Sequence, residues 1–410
     1  MNEVRRAAAA ALMGIVFTGC NAQSPAPSPG PGQNCATAAT LSPRAATGDL
    51  RHRAYVASRD AANVTVIDLD AMEIVGSADD CGPGYHMVEM NADFTKAYAS
   101  SPDKSHLDVL DARTLARIGR IEVGAEPSHM SLSRDGKLLA VVNEKDNAVS
   151  FIDPVRDVEI KRLPGFYYPH FVRFAPDGRY AYVANVGAYH VTRIDLSTLA
   201  IDGHIALDGF DGPPHATEVT EEVGFADVQI DANGVLWAAH GESGRVLVYD
   251  TKARQKLPEL TTGIRPWIVY AQHPFTGIDA HVVPSHGERN VKLLDLVPER
   301  AAEIVTGEPE SYGVNYSPLA PERAFVMNRI RQEIAVIDTR TKAIVSTIPV
   351  GGNTETASTT ADGRYIVAAV SSANRVVVID AQTNAIVKTF DGVGSYPWTV
   401  TIPLGQNYCH

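Results

Sequence analysis

The sequence predicts an all-β chain folded as an eight-bladed β-propeller, and three observations carry that expectation. The first is a repeated signal: a β-branched or apolar run ending in Asp recurs at Asp68, Asp111, Asp153, Asp195, Asp250, Asp295, Asp338 and Asp380. These aspartates are spaced by 42–45 residues, with one interval of 55. A period near 42 with room for four short strands is that of a propeller blade. The second is the content of each unit, seen best in "PHFVRFAPDGRYAYVAN…VTRID…IDGHIAL", where four strand-like runs are separated by Gly/Asp turns. The third is an offset at the ends. The first unit starts at its second strand, so strands over 54–76 lack an inner partner, and the missing strand reappears at 397–402 as "PWTVTI". Strand exchange would close the ring and leave no open sheet edge.

Taken in order, Met1 to Cys20 reads as an export leader: two arginines, an apolar stretch over 7–17, then "FTGC". That ending is similar to a lipobox, which makes Cys20 the expected lipidation site and residues 1–20 a secretory or lipoprotein signal. Residues 21–50, beginning "NAQSPAPSPGPGQN", read as a flexible linker. The propeller is expected over 51–404 and a short tail over 405–410. The expected location is the periplasm or cell envelope, with the membrane touched only through the N-terminal anchor.

A net charge of −12 with no Lys/Arg run argues against nucleic acid, which requires a basic face. Of four cysteines, Cys35 and Cys409 flank the closing blade and are expected to pair as a disulfide, while Cys81 is either a buried thiol or a soft metal ligand. The chain has no CxxCH and no CxxC pattern, so a cofactor would be held non-covalently. GxSxG, HExxH and phosphate-binding glycine loops are absent as well.

The runs "YAYVAN…VTRID" and "RYIVAAVSSANRVVVIDAQTNAIVKTF" resemble the YVTN family of β-propellers, and the resemblance covers nearly all of residues 51–404. It implies fold rather than function. Eight units and a leader also resemble the propellers related to the d1-haem domain of cytochrome nitrite reductases and their tethered biosynthetic accessory protein. That narrower resemblance implies a tetrapyrrole-type ligand.

Aligning the inner strands on their turns places one residue per blade at one mouth of the channel, here named the top. These residues are His86, Ser128, His170, Ala226, Trp267, Tyr312, Glu355 and Trp398, with His129 and Asp227 just inside. His240 and His286 close second strands on the same rim, and His215 lies in the insertion that causes the 55-residue interval. Six of thirteen histidines, His86, His129, His170, His215, His240 and His286, therefore become expected metal ligands for copper, zinc or iron. Asp227 or Glu355 would orient them. A planar tetrapyrrole could instead stack on Trp267, Tyr312 or Trp398, be ligated by His86 or His170, and pair its carboxylates with Arg265, Arg329 or Arg331. A lactonase-like ion site on Glu355, Asp227 and Asn185 ranks third. The functional expectation is an exported, tethered propeller that binds a metal or haem-like small molecule. Two alternatives are a His-ligated copper or iron oxidoreductase, similar only in architecture to nitrous oxide reductase, and an interaction scaffold for another envelope protein.

Overall fold

The structure, a computed structural model, describes residues 40–79, 82–210, 224–271, 280–295, 301–305 and 310–407. Its strands form eight antiparallel sheets arranged as a β-propeller, one sheet per repeat. In the fourth blade the order from channel to perimeter is Pro169–Phe174, Tyr180–Asn185, His190–Asp195 and Ala200–Ala206. The other blades repeat this plan.

The repeated Asp is explained by local turn chemistry. Asp153 accepts from the backbone N–H groups of Val155 and Arg156 at 2.9 and 3.0 Å, and Asp380 from those of Gln382 and Thr383 at 3.1 and 2.9 Å. Asp68, Asp111, Asp250 and Asp338 make the same pair of bonds. Four positions after the Asp the chain enters the left-handed region, at Met72, Leu115, Asp157, Leu199, Arg254, Lys342 and Asn384, with φ between 47° and 60°. A left-handed residue costs energy for any side chain with a Cβ, so the carboxylate that satisfies two turn N–H groups is what holds the turn. These bonds pull the carboxyls of Asp153, Asp338 and Asp380 below the ordinary aspartate range.

Second strands are buried on both faces. All six residues of Tyr180–Asn185 are buried, because each blade is sandwiched between two others. Outer strands do alternate, as Ala343–Pro349 shows. Eight apolar clusters fill the spaces between neighbouring blades. Between the sixth and seventh blades, for example, Tyr270, Val282 and Leu293 pack with Tyr316, Val326 and Ile337.

In the first blade Pro397–Thr401 is the inner strand and pairs antiparallel with Arg53–Ser58, Tyr55 opposite Thr401 and Ser58 opposite Pro397. Hydroxyls fasten this strand to both neighbours. Thr399 and Thr401 donate to the His86 and Val88 carbonyls at 3.0 and 2.6 Å, while Thr356 and Ser358 donate to the Trp398 and Val400 carbonyls, each at 2.5 Å.

Both ends of the described chain extend the sheets. Thr40–Leu41 pairs with Glu73–Asp79 at the perimeter. Arg44 donates to Asp68 at 2.9 Å, and the buried Arg53 guanidinium donates to the Ala45 carbonyl at 2.5 Å. Residues 40–50, expected as the end of a linker, are thus docked on the first blade by groups the linker composition does not announce. Gln406–Asn407, expected as tail, pairs with Ser358 and Thr359 on the channel side of the eighth blade. Cys20, Cys35, Cys81 and Cys409 all lie outside the described residues, as does His215.

Replacing Asp380 by Ala leaves the Gln382 and Thr383 N–H groups without their carboxylate acceptor. The expected loss is about 1 kcal/mol, the usual worth of a capping side chain, read as a lowered urea midpoint against the unchanged parent.

Candidate functional site

Five of the eight rim positions, Ser128, His170, Trp267, Tyr312 and Trp398, are placed by the same device. Glu126, Tyr168, Arg265, Glu310 and Tyr396 adopt φ of 50–65° immediately before the residue that opens an inner strand. In four cases that next residue is proline: Pro127, Pro169, Pro266 and Pro397. The left-handed residue turns the chain sharply, proline fixes the following φ, and the residue after it is delivered to the channel mouth as Ser128, His170, Trp267 or Trp398. Tyr168 and Tyr396 are further pinned through their N–H groups, which donate to Asn147 and Asn374 side chains at 2.6 and 2.8 Å.

The rim divides into two halves. One holds histidines: the ring centroids of His86 and His129 lie 4.6 Å apart, and those of His129 and His170 4.3 Å apart. All three are buried, His129 completely. The other half is aromatic. His286 stacks on Tyr312 at 4.5 Å and on Trp267 at 4.8 Å, and Arg329 covers the other ring face of Tyr312 at 3.4 Å. Arg329 also donates to Glu355 at 2.8 Å, and the Tyr396 hydroxyl reaches the same carboxylate at 3.2 Å. Trp398 joins the halves, 6.0 Å from His86 and beneath Arg59 at 4.4 Å. Across the small Ala226, His170 comes within 6.1 Å of Trp267.

Hydrogen bonds orient the histidines. The His170 Nδ1–H donates to the Ala226 carbonyl at 2.8 Å, which leaves the Nε2 lone pair for another partner. His86 and His129 meet through their Nε2 atoms at 3.2 Å. The other ring nitrogen of His129, Nδ1, lies 3.9 Å from the Glu144 carboxylate. Glu144 accepts from the Ser128 hydroxyl and is buried. His129, Glu144 and His170 each offer a donor atom, and these atoms lie within 4.8 Å of one another. Among the described residues this is the one group of three or more such side chains. Donors bonded at about 2.1 Å around a tetrahedral ion are about 3.4 Å apart, so sub-ångström side-chain shifts would close the set on a metal.

Burial sets the protonation states. It holds the His86 and His286 rings well below the ordinary histidine range, with nearby Arg59 for His86, and Arg329 and Arg265 for His286, acting in the same direction. Neutral imidazoles are the ligand form. Burial also raises the Glu144 carboxyl, opposed by the nearby His170 and the Ser128 bond.

Several expectations change. The carboxylate beside the histidines is Glu144 rather than Asp227 or Glu355. Asp227 instead accepts from Gln229 at 2.5 Å and faces Arg173 at 3.5 Å, and Glu355 is held by Arg329. Glu144 directly follows Asn143, the last residue of the second strand Leu139–Asn143, so extending the strand register by one residue reaches it. His86 touches the far nitrogen of His129 and so sits behind the donor set. His240 lies apart, stacked on Tyr189 at 4.8 Å, bonded to Ser243 at 2.9 Å and edge-on to Phe225. His286 belongs to the aromatic half. Asn185 braces backbone, donating to Thr192 at 3.1 Å and accepting from the Tyr167 N–H. It therefore shares no donor set with Glu355 and Asp227. Arg265 is half-buried near His286, and Arg331 pairs with Glu333.

No protein-family model matches the sequence, and no curated protein matches it. Among solved structures, the dihydro-heme d1 dehydrogenase NirN in complex with DHE is similar over 87% of this chain and 76% of its own, at 17% identity and a TM-score of 0.73. Apo AztD from Citrobacter koseri is similar over 85% and 96%, at 13% identity and a TM-score of 0.61. Hydrazine synthase of Kuenenia stuttgartiensis is similar over 72% and 94%, at 18% identity and a TM-score of 0.52. At these identities the likeness is one of fold.

Burial lowers His190 and His240 to about 4. Between pH 6.5 and about 4 the unfolded chain binds protons that these folded rings refuse, so stability falls as pH is lowered through that window. Urea midpoints at pH 7 and pH 5 should differ, and His240→Phe should flatten the difference.

Proposed function

We propose that this chain is a ligand-binding propeller that holds one divalent transition-metal ion at the top of its channel, through His129 Nδ1, His170 Nε2 and Glu144. The observation that carries the reading is the state of the opposite ring nitrogens. His170 Nδ1 is already committed to a carbonyl and His129 Nε2 to His86. One donor atom of each ring lies within 4.8 Å of the other and of one buried carboxylate. Metal-bound histidines characteristically engage their second nitrogen in this way. Two imidazoles and a carboxylate suit zinc, iron(II) or copper(II), and leave coordination positions for water or a small molecule. In this reading His86 sets the tautomer of His129 and does not ligate.

A second reading, a haem-like tetrapyrrole, is favoured by the aromatic half. Trp267, Tyr312 and Trp398 offer ring faces, and Arg265 and Arg329 would meet carboxylates. NirN, a structure of the same fold, is in complex with DHE. The two readings differ in the spectrum each requires. The reading also includes export and tethering through Cys20, supported by the leader sequence alone.

Protein purified without chelator and analysed for metals should carry one zinc, iron or copper per chain. His129→Ala should lower affinity at least a hundredfold, whereas His86→Ala, which removes only the orienting partner, should lower it by roughly ten- to a hundredfold. A strong Soret band with no stoichiometric metal outside a tetrapyrrole would replace the first reading by the second. A protein that takes up neither metal nor haem contradicts both.

A further inference from the structure

The donor set is buried, so an ion must be carried to it, and the two sides of the rim are not equivalent for a cation. On the aromatic side stand Arg59, Arg265 and Arg329, and the Arg59 charge already acts on His86. On the histidine side the half-exposed Glu126 and the buried Glu144 are neighbours, the Glu144 N–H donating to the Glu126 carbonyl at 3.1 Å. The Tyr168 hydroxyl donates to Glu126 at 3.2 Å. The two carboxylates raise the Tyr168 phenol, and so does its burial, which is the largest cause.

We infer that Glu126 and Glu144 form the way in for the metal ion, with Glu126 as the outer acceptor, Glu144 as the inner one and the Tyr168 hydroxyl, bonded to Glu126, as the latch on the outer one. This rests on the metal reading above and adds a route and a gate to it. A dication leaving water for a buried site loses hydration energy. Carboxylates along the path replace water oxygens and neutralise the charge, while arginines on the other side repel it. The latch is well placed to be specific. Tyr168 cannot drift with its loop, because its φ of 50°, the following Pro169 and the Asn147 bond fix its backbone. Movement is confined to the side chain. Tyr396 occupies the same position in the first blade and bonds to Glu355, whose charge Arg329 already neutralises, so the equivalent step on that side offers a cation nothing.

The test uses zinc ion alone, delivered to metal-free full-length protein in stopped flow against a chromophoric chelator, with the equilibrium affinity measured separately. Glu126→Gln keeps a hydrogen-bond acceptor and removes the charge. It should slow uptake and release alike by about tenfold and leave affinity within about twofold. Tyr168→Phe should speed both by about fivefold, the worth of one ordinary hydrogen bond, again with affinity nearly unchanged. A purely structural role would move affinity or folding rather than the two rates in parallel. Parental rates in both variants overturn the inference, and so does acceleration by Arg59→Gln with no effect of Glu126→Gln. A parent protein that binds no zinc would instead be recognised in the equilibrium measurement, where it removes the metal reading itself.

Discussion

The whole ring depends on Pro397–Thr401 reaching Arg53–Ser58. Without that strand the first blade would expose the edge of its second strand to the channel, and the eighth and first blades would lose the inner strand against which both pack. The four hydroxyl bonds from Thr399, Thr401, Thr356 and Ser358 show how the closing strand is fastened, each spending a short side chain on a carbonyl of the neighbouring inner strand. These contacts also set the channel mouth. Trp398 lies on the closing strand, and Thr399 beside it holds the His86 carbonyl, so the aromatic and histidine halves meet at the closure.

Turn chemistry is local, and for that reason the repeat could be read directly from the sequence. An Asp that accepts two N–H groups two and three residues ahead needs nothing from the rest of the protein. Strand register then carried His86, His129, His170, Trp267, Tyr312 and Trp398 to one rim. The limit came with side-chain direction. His240 ends its strand, whereas His286 lies two residues past Pro284, the end of the equivalent one, and one turns toward Tyr189 and the other toward Trp267. Glu144 went unnoticed because a carboxylate just past a strand end looks like ordinary surface, and only the packing of Ser128 and Tyr168 over it makes it a buried group.

The rim concentrates opposite tendencies in a small space. Burial drives His86 and His286 toward neutrality and Glu144 and Glu355 toward protonation. Glu355 has an arginine partner to oppose this and Glu144 has none of comparable closeness among the described residues, only polar hydrogens and imidazoles. A cation would supply what Glu144 lacks. The same physics makes the Arg329 side suitable for anions, which is why one channel mouth accommodates two chemically distinct readings.

The closing strand has a consequence for synthesis. A chain growing from its N-terminus completes the second, third and fourth strands of the first blade hundreds of residues before the inner strand exists. Until residue 397 has emerged, every blade from the second onward can pair internally while the first cannot. The nascent protein therefore carries one unsatisfied edge until residues 397–401 have emerged, and that strand decides whether it becomes a ring.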